Sequence, residues 1–166
     1  FLLNGLTDPR VAQELFPFDR PTLRSEVNPF GSPNFGLPLA GSGGVTPIML
    51  AFEPTNLGNS DYRLGVTTTR GATSAYLMYS DLPAAPGTQF GGVPFAVDPT
   101  HSSFNYVSVL TAGAGVGDGY ATLHFPIPNQ PFLAGFTRFV QWLVYDDQSA
   151  AAWDYSISRG AALTVF

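Results

Sequence analysis

The chain contains no cysteine and no lysine, only two histidines and few charges of either sign. Without cysteine there is neither a disulfide framework nor a thiolate metal site, and the redox compartment is left open. Without lysine, all seven basic residues are arginine, and twelve carboxylates bring the formal net charge to −5. Phosphate binding needs clustered positive charge, so no nucleic-acid partner is expected. Charged residues make up 11% of the chain, well below the roughly 25% of ordinary soluble domains. Ser, Thr, Asn, Gln and the backbone must therefore supply much of the solvated surface. No apolar run approaches the roughly 18 residues of a membrane-crossing helix, so no membrane span is expected. The first residue is Phe1 rather than Met, which leads to the expectation of a processed or partial chain.

What is present is apolar residues, glycine, proline and aromatics. A length of 166 residues with 45% hydrophobic content suits one well-buried core. Residues 1–44 have a texture of their own, with Pro9, Pro17, Pro21, Pro29, Pro33 and Pro38 followed by Gly41-Ser42-Gly43-Gly44. They are expected to form an extended arm and a Gly-rich linker. A short helix over residues 9–15 is predicted inside the arm, with Thr7 or Asp8 as its cap and Pro9 at its first position. Phe16, Phe18, Leu23, Val27, Phe30 and Phe35 give the arm an apolar content that must be covered by its own domain or by a neighbour.

From residue 45 to 166 the pattern becomes short apolar or alternating runs separated by Gly, Pro, Asn and Asp clusters. The predicted strands are 47–53, 61–68, 74–80, 93–97, 104–110, 119–127, 136–145, 151–157 and 161–166. Asn59-Ser60-Asp61, Arg70-Gly71, Pro86-Gly87, Gly91-Gly92 and Asp118-Gly119 supply the turns. This rhythm predicts an all-β fold, a two-sheet sandwich or jelly roll, in preference to a closed barrel. The run from Phe125 to Asp147 is the most informative. On a strand, Phe136, Arg138, Val140, Trp142 and Val144 share one face and Thr137, Phe139, Gln141, Leu143 and Tyr145 the other. Both faces are mostly apolar, as in a strand covered on both sides.

The candidate chemistries are few. His101 and His124 have no Gly-x-Ser-x-Gly elbow to serve, so no hydrolytic triad is expected. Two of the three Glu residues lie in the arm, which leaves no evident carboxylate pair for glycoside hydrolysis. No catalytic residue and no cofactor is assigned, and a non-enzymatic role is expected. Calcium is the best metal option, because hard cations take several loop oxygens. Asn59 and Asp61 in one loop, and Asp146 and Asp147 in another, are its candidate ligands. The glycine run from Gly113 to Gly119 leads into a strand rather than a helix, so it is not a phosphate cradle. Tyr76, Tyr79, Tyr106, Tyr120, Trp142, Trp153 and Tyr155 could serve as core or as a sugar-stacking platform. Trp142 is assigned to the core, whereas Trp153 and Tyr155 are the candidate glycan contacts.

The segment PIPNQPFLAGFTRFVQWLVYD within 125–146, with the final Gly-Ala-Ala-Leu-Thr-Val-Phe, resembles a β-sandwich domain found near the C-termini of secreted bacterial proteins. Thr46-Pro47, Leu57-Gly58 and Gly91-Gly92-Val93-Pro94 fall in matching places, so the resemblance spans about residues 44–166. It implies a secreted structural or accessory module with no agreed activity and leaves the arm unmatched. Two functions follow as expectations. One is an extracellular or cell-surface structural subunit that self-associates through the arm into a filament or surface layer. That self-associating subunit, suggested by the scarce charge and the apolar arm, is the leading expectation; the alternative, suggested by the aromatic surplus, is a carbohydrate-binding or adhesion module with polysaccharide as its partner.

Overall fold

Alternating apolar and polar side chains produce eleven strands in the computed structural model, which describes residues 34–51, 53–149 and 153–166. They are β1 (Asn34–Phe35), β2 (Ile48–Ala51), β3 (Arg63–Thr69), β4 (Ser74–Ser80), β5 (Gln89–Phe90) and β6 (Val93–Pro94), followed by β7 (Asn105–Leu110), β8 (Gly119–His124), β9 (Thr137–Tyr145), β10 (Tyr155–Ile157) and β11 (Gly160–Thr164). The chain is an all-β sandwich. One sheet has the order β1-β11-β9-β4-β7, with β10 also on β9, and the other has the order β2-β3-β8. All pairings are antiparallel, and β5-β6 forms a separate two-stranded hairpin. Among the described residues no helix is long and apolar enough to cross a membrane.

β9 is the axis of the larger sheet. Along one side it pairs with β4; along the other it pairs first with β11 and then with β10. The break between those two partners is filled by Ser158, whose Oγ accepts from the Trp142 N–H at 3.0 Å. The predicted division of faces holds. Val140, Trp142 and Val144 are fully buried against Met49, Leu64, Val66, Ala121 and Ile127 of the smaller sheet and its flanks. Phe139 and Leu143 face the other way, into a second cluster with Met78, Val93, Val97 and Ile157. That second layer comes from residues 81–104. Gln141 fastens it to the sheet: its side-chain oxygen accepts the Ala96 N–H at 2.8 Å, and its amide donates to the Ser158 carbonyl at 2.9 Å.

Residues 34–44 correct the expected boundary at residue 44, because they are part of the sandwich. β1 pairs with β11, Phe35 packs edge-on against Phe139 at 5.7 Å, and Leu39 exchanges backbone hydrogen bonds with Ile157. The Gly-rich stretch is not a free linker. Ser42–Gly44 forms a short 3-10 turn, and both the N–H and the hydroxyl of Ser42 donate to the buried carboxylate of Asp146. A Cβ on Gly41 would come within 2.2 Å of that carboxylate, so only glycine permits the approach. The predicted helix at 9–15 and Phe16, Phe18, Leu23, Val27 and Phe30 lie outside the described residues.

The glycines at 113–119 also have a packing explanation. Gly71 donates to the Gly115 carbonyl at 2.8 Å, and a Cβ on Gly71 would lie 2.4 Å from the Gly113 backbone. The connection from β7 to β8 therefore rests directly on the turn between β3 and β4.

Candidate functional site: an aromatic groove

Strand alternation places Tyr76 and Met78 of β4, Tyr106 of β7, Leu143 of β9 and Tyr155 of β10 on the outer face of the larger sheet. Residues 81–104 cover the part of that face nearer β11. Where that cover ends a groove of about 580 Å³ remains, lined also by Phe90, Phe95, Phe104 and Trp153. Its volume falls within the roughly 300–1,000 Å³ of ligand sites. None of its lining side chains is charged.

Tyr76 is the hub of the ring network, edge-to-face with Tyr106 at 5.9 Å and with Tyr155 at 6.4 Å; Tyr155 in turn meets Tyr145 at 5.6 Å. Phe90 and Phe95 meet at 5.3 Å across the hairpin. Such contacts hold rings in fixed orientations. Trp153 remains 50% exposed and Tyr106 57% exposed. The indole of Trp153 lies over Gly91, where a Cβ would come within 2.0 Å of the ring, and Gly91 has a φ of 56°. This position therefore requires glycine for both conformation and space.

Burial pushes the Tyr155 hydroxyl above its ordinary range, with Tyr76, Tyr145 and Asp154 adding to the effect. It stays protonated, and so remains a donor, at neutral pH. At the groove rim, Asp98 accepts from the Thr100 hydroxyl at 2.7 Å and from its N–H at 2.9 Å, which holds the Asp98 carboxyl below its usual range. The arrangement combines flat apolar faces with neutral hydroxyls, the surfaces that take a ligand having both C–H faces and hydroxyl groups.

Of the proposed aromatic platform, Tyr76, Tyr106, Trp153 and Tyr155 converge on the groove. Tyr79 points the other way, against Phe125 at 5.7 Å; Trp142 is fully buried; and Tyr120 stands on β8 of the smaller sheet. Phe90, Phe95 and Phe104 were not expected in a site. The signal available for them was three phenylalanines within an otherwise Pro- and Gly-rich connection.

The four calcium candidates divide between opposite ends of β3. Asp61 receives a two-nitrogen grip from Arg63, with Asn59 accepting the Asp61 N–H at 3.1 Å. At the far end Arg70 contacts Asp147 at 2.5 Å and Asp146 at 3.3 Å. Burial alone would raise the Asp146 carboxyl, but hydrogen bonds from Ser42, Gln148 and Arg70 outweigh it and hold the group below its ordinary range. Each candidate carboxylate thus faces an arginine. Among the described residues no three His, Cys, Asp or Glu side chains converge as a metal site would require.

The two histidines are engaged locally. His101 Nδ1 lies 2.7 Å from the hydroxyl of Ser103, two residues away, and His124 Nε2 bonds the Ser60 carbonyl. A second cavity of about 270 Å³ lies at one end of the main core, among Tyr62, Phe125, Leu133 and Leu163. Its walls are mostly apolar, with Thr55, Gln130 and Arg138 among them; burial pushes the Tyr62 hydroxyl up, and Arg138 is held by Asp81 at 2.9 Å and stacked on Tyr79 and Phe136.

Together these features describe an antiparallel β-sandwich with an aromatic groove on one outer face. No family model, curated protein or solved structure matches the chain.

Proposed function

We propose that the protein is a non-enzymatic extracellular binding module whose groove takes a neutral polysaccharide. The observation that carries this reading is the exposed Trp153, held over Gly91, beside the linked rings of Tyr76, Tyr106 and Tyr155. Sugar rings stack their C–H faces on such side chains, and the tyrosine hydroxyls supply hydrogen bonds at the ring edges. The uncharged lining, together with the net charge of −5, favours a neutral glycan over an acidic one. The extracellular setting is supported by the resemblance to secreted sandwich domains.

Affinity electrophoresis and calorimetry against a panel of neutral polysaccharides test the proposal. Trp153→Ala is expected to weaken binding about thirtyfold, the loss of an anchor worth about 2 kcal/mol. Absence of binding to every glycan, or equal binding by Trp153→Ala and Tyr106→Ala, overturns it. Self-association is a second reading, supported by a different feature of the same sheet.

A further inference from the structure

We infer that β7 is the acceptor edge for residues 22–28 of a second copy of this chain, which add a strand to the larger sheet and join copies head to tail. Among the described residues β7 is the last strand of that sheet and pairs with β4 alone. Five of its six residues are exposed, with Val107 at 40% and Leu110 at 74%. Natural edge strands are usually guarded by charge, proline or a bulge. The sequence Asn105-Tyr-Val-Ser-Val-Leu110 contains no charge and no proline, and its register with β4 is unbroken.

The arm holds a segment of matching character. Residues 22–28 lie between Pro21 and Pro29, contain no glycine or proline, and alternate Leu23, Ser25 and Val27 with Arg24, Glu26 and Asn28. Laid beside β7, Leu23 and Val27 would continue the face of Val107 and Val109, leaving Arg24 and Glu26 on the solvent side.

Geometry decides between the chain's own arm and that of a neighbour. Pairing registers place Asn34, Ala161, Val140, Tyr79 and Asn105 in one row across the sheet. A strand added outside β7 is then a fifth step from Asn34, about 24 Å away. Residue 28 precedes Asn34 by six positions, which span about 22 Å when fully extended. The straight path also runs through packed strands, so residues 22–28 cannot reach the β7 edge of their own chain. A donor leaving one edge and an acceptor on the opposite edge form a heterologous contact, which propagates into an open chain of copies.

The lack of native cysteine makes the test direct. Full-length chain examined by light scattering across a concentration series should show species larger than the monomer, shortened by excess synthetic peptide of residues 18–30. Ser108→Lys, an exposed change on the edge, should leave the circular dichroism spectrum unchanged and the chain monomeric. Arg24→Cys and Glu26→Cys, covering the two strand directions, are each mixed with Ser108→Cys under mild oxidation. One mixture should give a mixed disulfide dimer at least tenfold faster than Ser108→Cys pairs with itself. A full-length chain that stays monomeric overturns the inference. So does rapid self-pairing of Ser108→Cys, which indicates edge-to-edge dimers, or ring closure within single chains that carry Ser108→Cys together with Arg24→Cys or Glu26→Cys.

Discussion

The two faces of β9 are covered by different means. On the inner face, Val140, Trp142 and Val144 meet a second sheet and have no exposure. On the outer face, Phe139 and Leu143 meet irregular chain, residues 81–104, which packs partly against Tyr155 and leaves Tyr106 more than half exposed. A sheet can cover a whole face because its strands repeat the spacing of the strands beneath. An irregular connection covers only what its particular side chains reach, and the uncovered remainder is the groove. The same aromatic residue types thus become core on one side and candidate ligand surface on the other.

That contrast can be broken at several strengths. Trp142→Ala should have the largest effect, about 4 kcal/mol of lost stability by chemical denaturation, because a large side chain leaves a cavity between two sheets that cannot close. Stability within about 1 kcal/mol of the parent would show that the inner face is not tightly packed. Gln141→Leu should follow, at about 3 kcal/mol, since it leaves the Ala96 N–H and the Ser158 carbonyl buried without their partner. Because Gln141 anchors the outer layer without lining the groove, this variant should also weaken glycan binding. Unchanged affinity in a folded Gln141→Leu protein would separate the groove from that anchor.

Asp146→Asn should cost about 2 kcal/mol at neutral pH through weaker hydrogen bonds to Ser42 and Arg70. The pH dependence has a definite sign. The folded carboxyl titrates below its unfolded value, so its contribution is present above about pH 4 and is lost as pH falls through the lower, folded value. Denaturation curves of the parent between pH 5 and 2 should lose stability that the Asn variant never had; parallel curves would count against this role. Tyr106→Ala should have the smallest effect on stability, under about 0.5 kcal/mol for so exposed a side chain, while reducing glycan affinity. A large fall in melting temperature would place Tyr106 in the core.

Much of the fold was legible because strand signals are local. The run 74–80 matches β4 to the residue, and the predicted strands at 104–110, 119–127 and 136–145 each contain an observed strand. The two-residue strands β1 and β5 were not foreseen, since two residues carry no periodicity. Gly41-Ser42-Gly43-Gly44 reads as linker because glycine marks both flexibility and close approach, and only the position of Asp146 distinguishes them. The paired aspartates read as metal ligands for a similar reason: nothing local to Asp146 shows that Arg70, 76 positions away, lies beside it.

By itself, then, the sequence determined the all-β character, the division of β9 into two apolar faces and the burial of Trp142. Those properties follow from residue type and period-two alternation, which act over a few positions. The tertiary structure alone decided which aromatics meet. Tyr76 joins Tyr106, Tyr155 and Trp153 only because β4, β7 and β10 are brought into one sheet and Gly91 admits the indole. It also decided that, among the described residues, β7 ends the larger sheet on the side opposite β1. Both outcomes depend on contacts between residues far apart in the chain, which no local pattern encodes.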